Sequence, residues 1–155
     1  ILRNDILEKC RDDLTAYLSY KVHASKKSVY NTPPVFAVYL MNLVLKWVKQ
    51  QGGLPGIAEM AEQKAGLLYD VIDSSDGFYK GHARHDSRSL MNVTFRLASE
   101  ELELKCVEEG AKRGLIGLKG HRSVGGMRAS IYNAMTLEGV KALAEFLKEF
   151  QEQNQ

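Results

Sequence analysis

The residues best suited to bind an anion are concentrated in one glycine-bracketed stretch, GLKGHRSVGGMRAS at positions 117–130. It places His121 and Arg122 shortly before Arg128, with the pair Gly125–Gly126 between them. The planar fork of a guanidinium can clamp a carboxylate through two parallel hydrogen bonds, so Arg128 is a candidate carboxylate ligand. His121 and Arg122 are candidates to hold a second anion, such as a phosphate. The two glycines allow unusual backbone angles and close approach of a ligand.

The same residues admit two other interpretations. Loops rich in glycine and arginine are common, so the arginines could be surface charges around a tight connection. Alternatively, the chain could be a self-standing α+β module that binds a phosphorylated amino acid without a cofactor, through His121, Arg122 and Arg128. Residue types and spacing alone leave these alternatives open.

Composition and charge narrow the class of protein. A length of 155 residues fits one ordinary domain, or one domain plus a piece of another. The net charge of +2 does not suggest a nucleic-acid partner, and the apolar fraction of 45% is normal for a globular protein. Charges within the first residues argue against a secretory signal peptide. Cys10 and Cys106 lie far apart without metal-ligand spacing, which predicts reduced thiols in a cytoplasmic protein and no metal site.

One segment is too apolar to stand alone. The run Val35–Val48 is apolar except for Asn42 and Lys46. A helix of this composition must be covered on several sides, yet the run is too short and too interrupted to span a bilayer. We therefore expect a preceding N-terminal half or a second subunit to cover it.

Local signals predict the remaining elements. Pro33–Pro34 favours a helix start and Gly52–Gly53 a helix stop. Residues 1–19 are predicted to be irregular or weakly helical. Further along, the patterns predict a helix over Leu54–Ser74, a solvated basic connector over Ser74–Ser89, a strand over Met91–Leu97 and a helix from the cap Ser99 to Arg113. They then predict short strands over Leu115–Lys119 and Arg128–Ala134, and a last helix capped by Thr136 with a frayed tail, Gln151–Gln155. This order indicates an α+β fold, a small sheet with helices packed on one face.

Four segments, in the same order, resemble the phosphoserine aminotransferase family, whose members are class-V, fold-type-I enzymes that use pyridoxal phosphate. They are SVYNTPP at 28–34, LKW with QGG at 45–53, LLYDVIDSSDGFY at 67–79 and LKGHRSVGGMRASIYNAM at 118–135. The resemblance runs from about Tyr20 to the C-terminus. At Thr94 the family usually has proline, and threonine restores a backbone donor without an evident cost.

The resemblance implies a domain organisation. Residues 1–56 would be the C-terminal, helical tail of the large pyridoxal-phosphate-binding domain, and residues 57–155 the small C-terminal α+β domain. The Schiff-base lysine is expected upstream of Ile1, so the chain itself would contain no catalytic lysine. The chain would then be a C-terminal fragment that is inactive alone.

The resemblance also implies roles for individual residues. Arg128 would bind the substrate α-carboxylate, while His121 and Arg122 would bind the phosphate of phosphoserine or the side-chain carboxylate of glutamate. Asn31 and Thr32 would reach the cofactor phosphate of the other subunit of a homodimer. Without the resemblance, the Asn-Thr pair is a turn that caps the following helix, and the two roles can coexist.

The whole protein would then be a cytoplasmic transaminase of serine biosynthesis. It would convert 3-phosphohydroxypyruvate and L-glutamate into O-phospho-L-serine and 2-oxoglutarate. Its partners would be these small molecules and a second copy of the chain, with no nucleic acid and no membrane.

Overall fold

The structure is a computed structural model that describes residues 2–155. The chain divides into two compact units, Ile1–Trp47 and Val48–Gln155. The domain boundary that the resemblance implies, between residues 56 and 57, stays a prediction.

The first unit is helical. It contains α1 (Asn4–Glu8), a 3₁₀ turn (Ala16–Leu18), α2 (Tyr20–Ser25) and most of α3 (Val35–Gln50), which continues into the second unit. Ser19 caps α2, because its hydroxyl accepts a hydrogen bond from the Val22 N–H at 3.3 Å. Within residues 2–19, the irregular or weakly helical start thus contains one short helix and one 3₁₀ turn.

Helix α3 is where the sequence predicts it, but none of its residues is buried. Phe36 is 72% exposed and Met41 is 62% exposed, and most of its other large apolar side chains are exposed as well. The described residues of the first unit, 2–47, therefore do not supply the cover that this helix needs. Among residues 2–155, no helix combines the length and the apolar character required to cross a bilayer.

The second unit is an α+β structure, as predicted. It contains α4 (Gly53–Asp73), β1 (Lys80–Gly81), a 3₁₀ turn (His85–Ser87), β2 (Asn92–Arg96), α5 (Glu100–Lys112), β3 (Met127–Ser130) and α6 (Leu137–Asn154). The three strands form an antiparallel sheet in the order β1-β2-β3.

The core lies on one face of this sheet. Side chains of a strand alternate between its two faces, and the register pairs Val93 with Ala129 and Phe95 with Met127. All four are buried, in one apolar cluster with side chains from α4, α5 and α6. Burial of a large apolar side chain contributes about 1.5–3 kcal/mol, so this cluster is the main source of stability. The other face of the sheet is left free of core residues.

Tyr79 contacts both the sheet and the last helix, α6. Its ring meets the edge of Phe95, with centroids 5.5 Å apart, and its hydroxyl donates to the Leu147 carbonyl at 2.7 Å. Burial raises the pKa of this phenol, which therefore keeps the proton it donates.

The predicted helix caps are confirmed. The Ser99 hydroxyl accepts from Leu102 N–H and the Thr136 hydroxyl accepts from Gly139 N–H, both at 3.2 Å. These two bonds satisfy amide donors that the first turn of a helix leaves free.

Three predicted elements are wrong in extent. Residues 115–119 form no strand, and only Lys119 makes an isolated bridge, to Met127. Strand β3 stops at Ser130 because the chain then turns. The tail is helical to Asn154, and the Gln151 amide donates to the Ser75 carbonyl at 3.1 Å.

A buried lysine fixes the turn after β3. The Lys64 ammonium donates to the carbonyls of Ile131, Tyr132 and Met135 at 3.2, 2.8 and 3.0 Å. Burial lowers the pKa of Lys64, and its three carbonyl partners satisfy all three donors of the ammonium. The backbone of Tyr132 is thereby held in one place.

Candidate functional site

The sheet face opposite the core carries the polar side chains of β2 and β3. Thr94 lies opposite Arg128 in the ladder, and Asn92 lies opposite Ser130. His82 directly follows β1 and is also held beside β2, because its N–H donates to the Thr94 carbonyl at 3.2 Å. Alternation thus places a guanidinium among hydroxyl and amide groups on an open surface.

A cavity of about 380 Å³ lies over this face. Its polar side chains are His82, Asn92, Thr94, Arg96, His121, Arg128 and Tyr132. The side chain of Asn92 donates to the Tyr132 hydroxyl at 3.2 Å, which holds one wall together. No carboxylate of residues 2–155 lines the cavity, so its charge is positive and suits an anion.

The glycine-bracketed loop forms another wall of this cavity. The His121 carbonyl accepts from the N–H groups of Val124 and Gly125, at 2.9 and 2.7 Å. Gly125 and Gly126 have φ angles of 74° and 71°, in the left-handed region that favours glycine. A Cβ on Gly120 would lie 2.1 Å from the Gly125 carbonyl oxygen, so only glycine fits there. The loop is therefore a closely packed turn.

The ring of His121 is oriented by Ser123. Its Nδ1 lies 2.7 Å from the Ser123 hydroxyl and accepts from the Ser123 N–H at 3.3 Å. Because a backbone N–H can only donate, Nδ1 is the acceptor, and we assign the proton of the neutral ring to Nε2. Nε2 is thereby available to donate to an anion.

The arginines at this site differ from the others in having no carboxylate partner among residues 2–155. Five arginines pair with a carboxylate, namely Arg3, Arg11, Arg84, Arg88 and Arg113. The other three are Arg96, Arg122 and Arg128, and no carboxylate of residues 2–155 lies within ion-pair distance of them. The Nε of Arg128 is also buried without a hydrogen-bond partner. A buried donor without a partner is costly, so Arg128 is suited to receive one from a ligand.

Arg122 lies in a neighbouring cavity. That cavity has a volume of about 320 Å³, shares His121 with the first, and is also lined by Glu100, Glu103 and Lys119. The structure thus brings His121 and Arg128 together in one cavity, whereas Arg122 lines the adjacent one. Gly120, His121 and Gly125 line both cavities, and His121 alone among these three has a side chain that can bind an anion.

Asn31 and Thr32 lie in the first unit, directly before α3, and both are exposed. Neither side chain makes a hydrogen bond within the described residues. The side-chain cap that the sequence suggests for these residues is therefore not seen, and their amide and hydroxyl groups are available to a ligand.

Sequence reasoning missed Arg96, His82 and Tyr132 as cavity residues. The alternation of the predicted strand was the signal for Arg96, since it puts residues 94 and 96 on one face. The sequence prediction of a solvated basic connector is wrong for Arg88. Only 13% of the Arg88 side chain is exposed, and it makes two hydrogen bonds of 2.6 Å to Asp73.

Over residues 2–155, no group of His, Cys, Asp and Glu could hold a metal ion.

Comparison with known proteins places the chain in a family. The family model described as aminotransferase class-V matches residues 12–143. A phosphoserine aminotransferase of Geobacillus kaustophilus is 56% identical over 150 residues, which are 97% of this chain and 42% of that protein. The chain therefore spans less than half the length of the curated relatives it matches.

Solved structures give the same result. A phosphoserine aminotransferase from Bacillus circulans subsp. alkalophilus matches with a TM-score of 0.90 and 48% identity, over 99% of this chain and 43% of that one. A phosphoserine aminotransferase from Trichomonas vaginalis with bound PLP matches with a TM-score of 0.82 and 34% identity, over 95% and 42% of the two chains. The α+β fold is that of part of a fold-type-I aminotransferase, and the chain belongs to the class-V aminotransferase family.

Proposed function

We propose that this chain is the C-terminal part of a phosphoserine aminotransferase. The whole protein would transfer the amino group of L-glutamate to 3-phosphohydroxypyruvate and form O-phospho-L-serine and 2-oxoglutarate, in serine biosynthesis. The substrate of each half-reaction carries two anionic groups. A protein that handles them needs two cationic subsites at a fixed separation.

The observation that carries this proposal is the cavity with free guanidiniums and no carboxylate. Arg128 has an unpartnered buried Nε, and His121 offers its Nε2 proton. Paired arginines elsewhere in the chain are neutralised by their own carboxylates. The three unpaired ones surround the glycine loop, where an external anion is the partner that remains.

We assign Arg128 to the α-carboxylate of the substrate. Two parallel hydrogen bonds from one guanidinium fix the orientation of the amino acid as well as its charge. His121 and Arg122 would hold the other end, which is a phosphate in phosphoserine and a carboxylate in glutamate. Since both groups are anions, the same subsite beside His121, where the two cavities adjoin, can serve the two half-reactions.

Asn31 and Thr32 are the residues of this chain that fit a cofactor phosphate. An amide and a hydroxyl without protein partners, beside the start of a 16-residue helix, are suitable donors. When bound, pyridoxal phosphate supplies the electron sink and the carbonyl chemistry of amino transfer. The lysine that would anchor it is expected outside this chain, so the 155 residues alone should be inactive.

The exposed apolar surface of α3 supports the view that more protein covers it. We propose that residues 1–56 belong to the tail of a large domain and residues 57–155 to a small domain. A homodimer in the cytoplasm is the assembly that this proposal implies, with Asn31 and Thr32 serving the cofactor of the partner subunit.

The test is the native gene product, purified from its source. We expect an intact mass more than twice that of this chain, absorption by bound pyridoxal phosphate that phosphoserine shifts, and glutamate formation from phosphoserine and 2-oxoglutarate. The 155-residue chain serves as the control and should show no activity. A native product of 155 residues without this absorption would contradict the proposal and favour a cofactor-free module that binds a phosphorylated amino acid.

A further inference from the structure

Arg96 is a cation of the cavity to which the proposed reaction assigns no role. It is the last residue of β2, on the same face as Thr94, and it lines the cavity with His121 and Arg128. In the register of the sheet its direct neighbour is Lys80. Like charges directly opposite each other destabilise a strand pair, and no carboxylate of the described residues neutralises this one. An anion bound beside Arg96 would offset the repulsion.

The side chain of Arg96 lies against the glycine loop. Its Nη2 donates to the Val124 carbonyl. A Cβ on Gly125 would lie 3.3 Å from Nη2, and a Cβ on Gly126 would lie 3.1 Å from the Arg96 Cγ. The two glycines thus leave the space that the guanidinium occupies. Only one of its five donors has a protein partner among residues 2–155, and a carbonyl does not cancel its charge.

We propose that Arg96 determines the preference of this cavity for a phosphate over a carboxylate, an inference that rests on the proposed function for its choice of substrates. The interaction of a cation with an anion scales with the anion's charge. A phosphate group carries roughly −1.5 to −2 at pH 7, whereas a carboxylate carries one negative charge. The Arg96 charge therefore adds more to phosphate binding than to carboxylate binding.

A purely structural role predicts something different. If Arg96 only held the loop through Val124, its loss would misplace His121 for every ligand. Phosphate and carboxylate binding would then weaken by the same factor. The ratio of the two affinities separates the two roles.

The experiment is an NMR titration of the 155-residue chain with inorganic phosphate and, separately, with acetate, at constant ionic strength and about pH 7.5. The variants are Arg96→Gln and Arg96→Lys. Arg113→Gln is the matched control, because Arg113 pairs with Glu149 and lies outside the cavity. Amide spectra of each variant verify that the fold is retained.

We expect Arg96→Gln to raise the dissociation constant of phosphate about fivefold and that of acetate about twofold, as for a charge pair open to solvent. Arg96→Lys should keep the wild-type ratio of the two constants, and Arg113→Gln should change neither. In the wild type, the Arg96 Nε–H signal should shift more with phosphate than with acetate, which tests the proposal without any variant.

Equal weakening of both ligands in Arg96→Gln would overturn the proposal, and so would a wild-type chain that binds neither. The titration needs no cofactor and no amino donor. A native protein without transaminase activity would contradict the proposed function and leave the phosphate preference intact. An active enzyme whose Arg96 variants keep their phosphate preference would contradict this inference alone.

Discussion

Arg128 and Thr94 lie directly opposite each other on the sheet face that carries no core residue. The threonine is short, so it leaves the longer guanidinium room to meet a ligand over the sheet. The backbone of Arg128 is fixed at the same time, since its N–H donates to the Leu118 carbonyl at 2.8 Å. Strand β3, which carries Arg128, is therefore held by hydrogen bonds to β2 on one side and to Leu118 on the other.

Replacement of Arg128 by lysine should separate charge from geometry. Lysine keeps the positive charge but lacks the fork that binds a carboxylate through two bonds. Loss of one charged hydrogen bond costs about 1.5–3 kcal/mol, so we expect kcat/KM of the full-length enzyme to fall roughly 10- to 150-fold. Arg84→Lys, at an exposed arginine paired with Asp86, is the control and should leave the rate unchanged. A similar rate in both variants would argue against the assignment of Arg128.

Gly120→Ala should destabilise the loop. The added methyl would lie 2.1 Å from the Gly125 carbonyl oxygen, and such overpacking costs about 1–3 kcal/mol. Gly66→Ala is the matched change, in the interior of α4 where a Cβ meets nothing within 4 Å. It should stabilise the fold by about 0.5–1 kcal/mol. Thermal unfolding of the two variants measures both effects, and equal shifts of Tm in the same direction would disprove this account of the loop.

The ion pair of Asp73 and Arg88 should make the free energy of unfolding depend on pH in the acid range. Arg88 lowers the pKa of Asp73, so the pair stabilises the folded state above the usual carboxyl pKa, and this contribution is lost as pH falls through the lowered value. The Asp73 side chain is 40% exposed, which limits the effect to about 0.5–1 kcal/mol. Urea unfolding of Asp73→Asn between about pH 5 and pH 2 should show a weaker acid dependence than the wild type. An identical dependence would contradict the prediction.

The two cysteines should differ in reactivity. Burial raises the pKa of Cys106 to about 12, and the thiolate is the nucleophile, so a thiol reagent at neutral pH should not modify it in the folded chain. Cys10 is only partly buried and should react first. Cys10→Ser should remove the fast phase, and a fast phase that survives this change would contradict the assignment.

The same thiol predicts a loss of stability at alkaline pH. The unfolded chain releases the Cys106 proton near its ordinary pKa of 9.0, whereas the folded chain keeps it until about pH 12. The free energy of unfolding should therefore decrease as pH rises through this window, and Cys106→Ala should reduce the slope. Denaturant unfolding at several alkaline pH values measures it.

The apolar surface of α3 should make the 155-residue chain self-associate. Phe36 and Met41 are examples of large side chains exposed along this helix, and exposed apolar patches drive association. Sedimentation velocity should show a mass that rises with concentration. Phe36→Glu with Met41→Glu should suppress the rise, while Leu104→Glu, at an exposed leucine of α5, should not. A wild-type chain that stays monomeric at all concentrations would contradict this.

The four long helices, α3 to α6, were predictable because each has signals of its own, whereas the short α2 was not predicted. The caps Ser99 and Thr136, and the pair Gly52–Gly53 at the junction of α3 and α4, act within a few residues and need no tertiary context. Strand β1 was not predictable, since its two residues are too short to show alternation. The segment 115–119 has strand composition, but only one of its residues pairs with a strand, which is a property of the tertiary fold.

The candidate site was predictable in part. His121 and Arg128 stand out by type and spacing, and the structure places them in one cavity. Arg122 lines a different cavity because of the way the loop turns, and no local sequence pattern reveals that turn. Arg96 looks like any exposed cation at a strand end, and only the absence of a carboxylate partner in the described chain distinguishes it. Pairing is a three-dimensional relation, so sequence cannot supply it.

The strict alternation of β2 and β3 divides their residues into two interleaved sets. Val93, Phe95, Met127 and Ala129 determine whether the unit folds, while the residues between them determine what it recognises. Substitutions in the second set can therefore accumulate without opening holes in the first. One face of the sheet therefore stabilises the fold, and the other binds the ligand. Ligand preference can be redesigned, or can change in evolution, with little loss of stability.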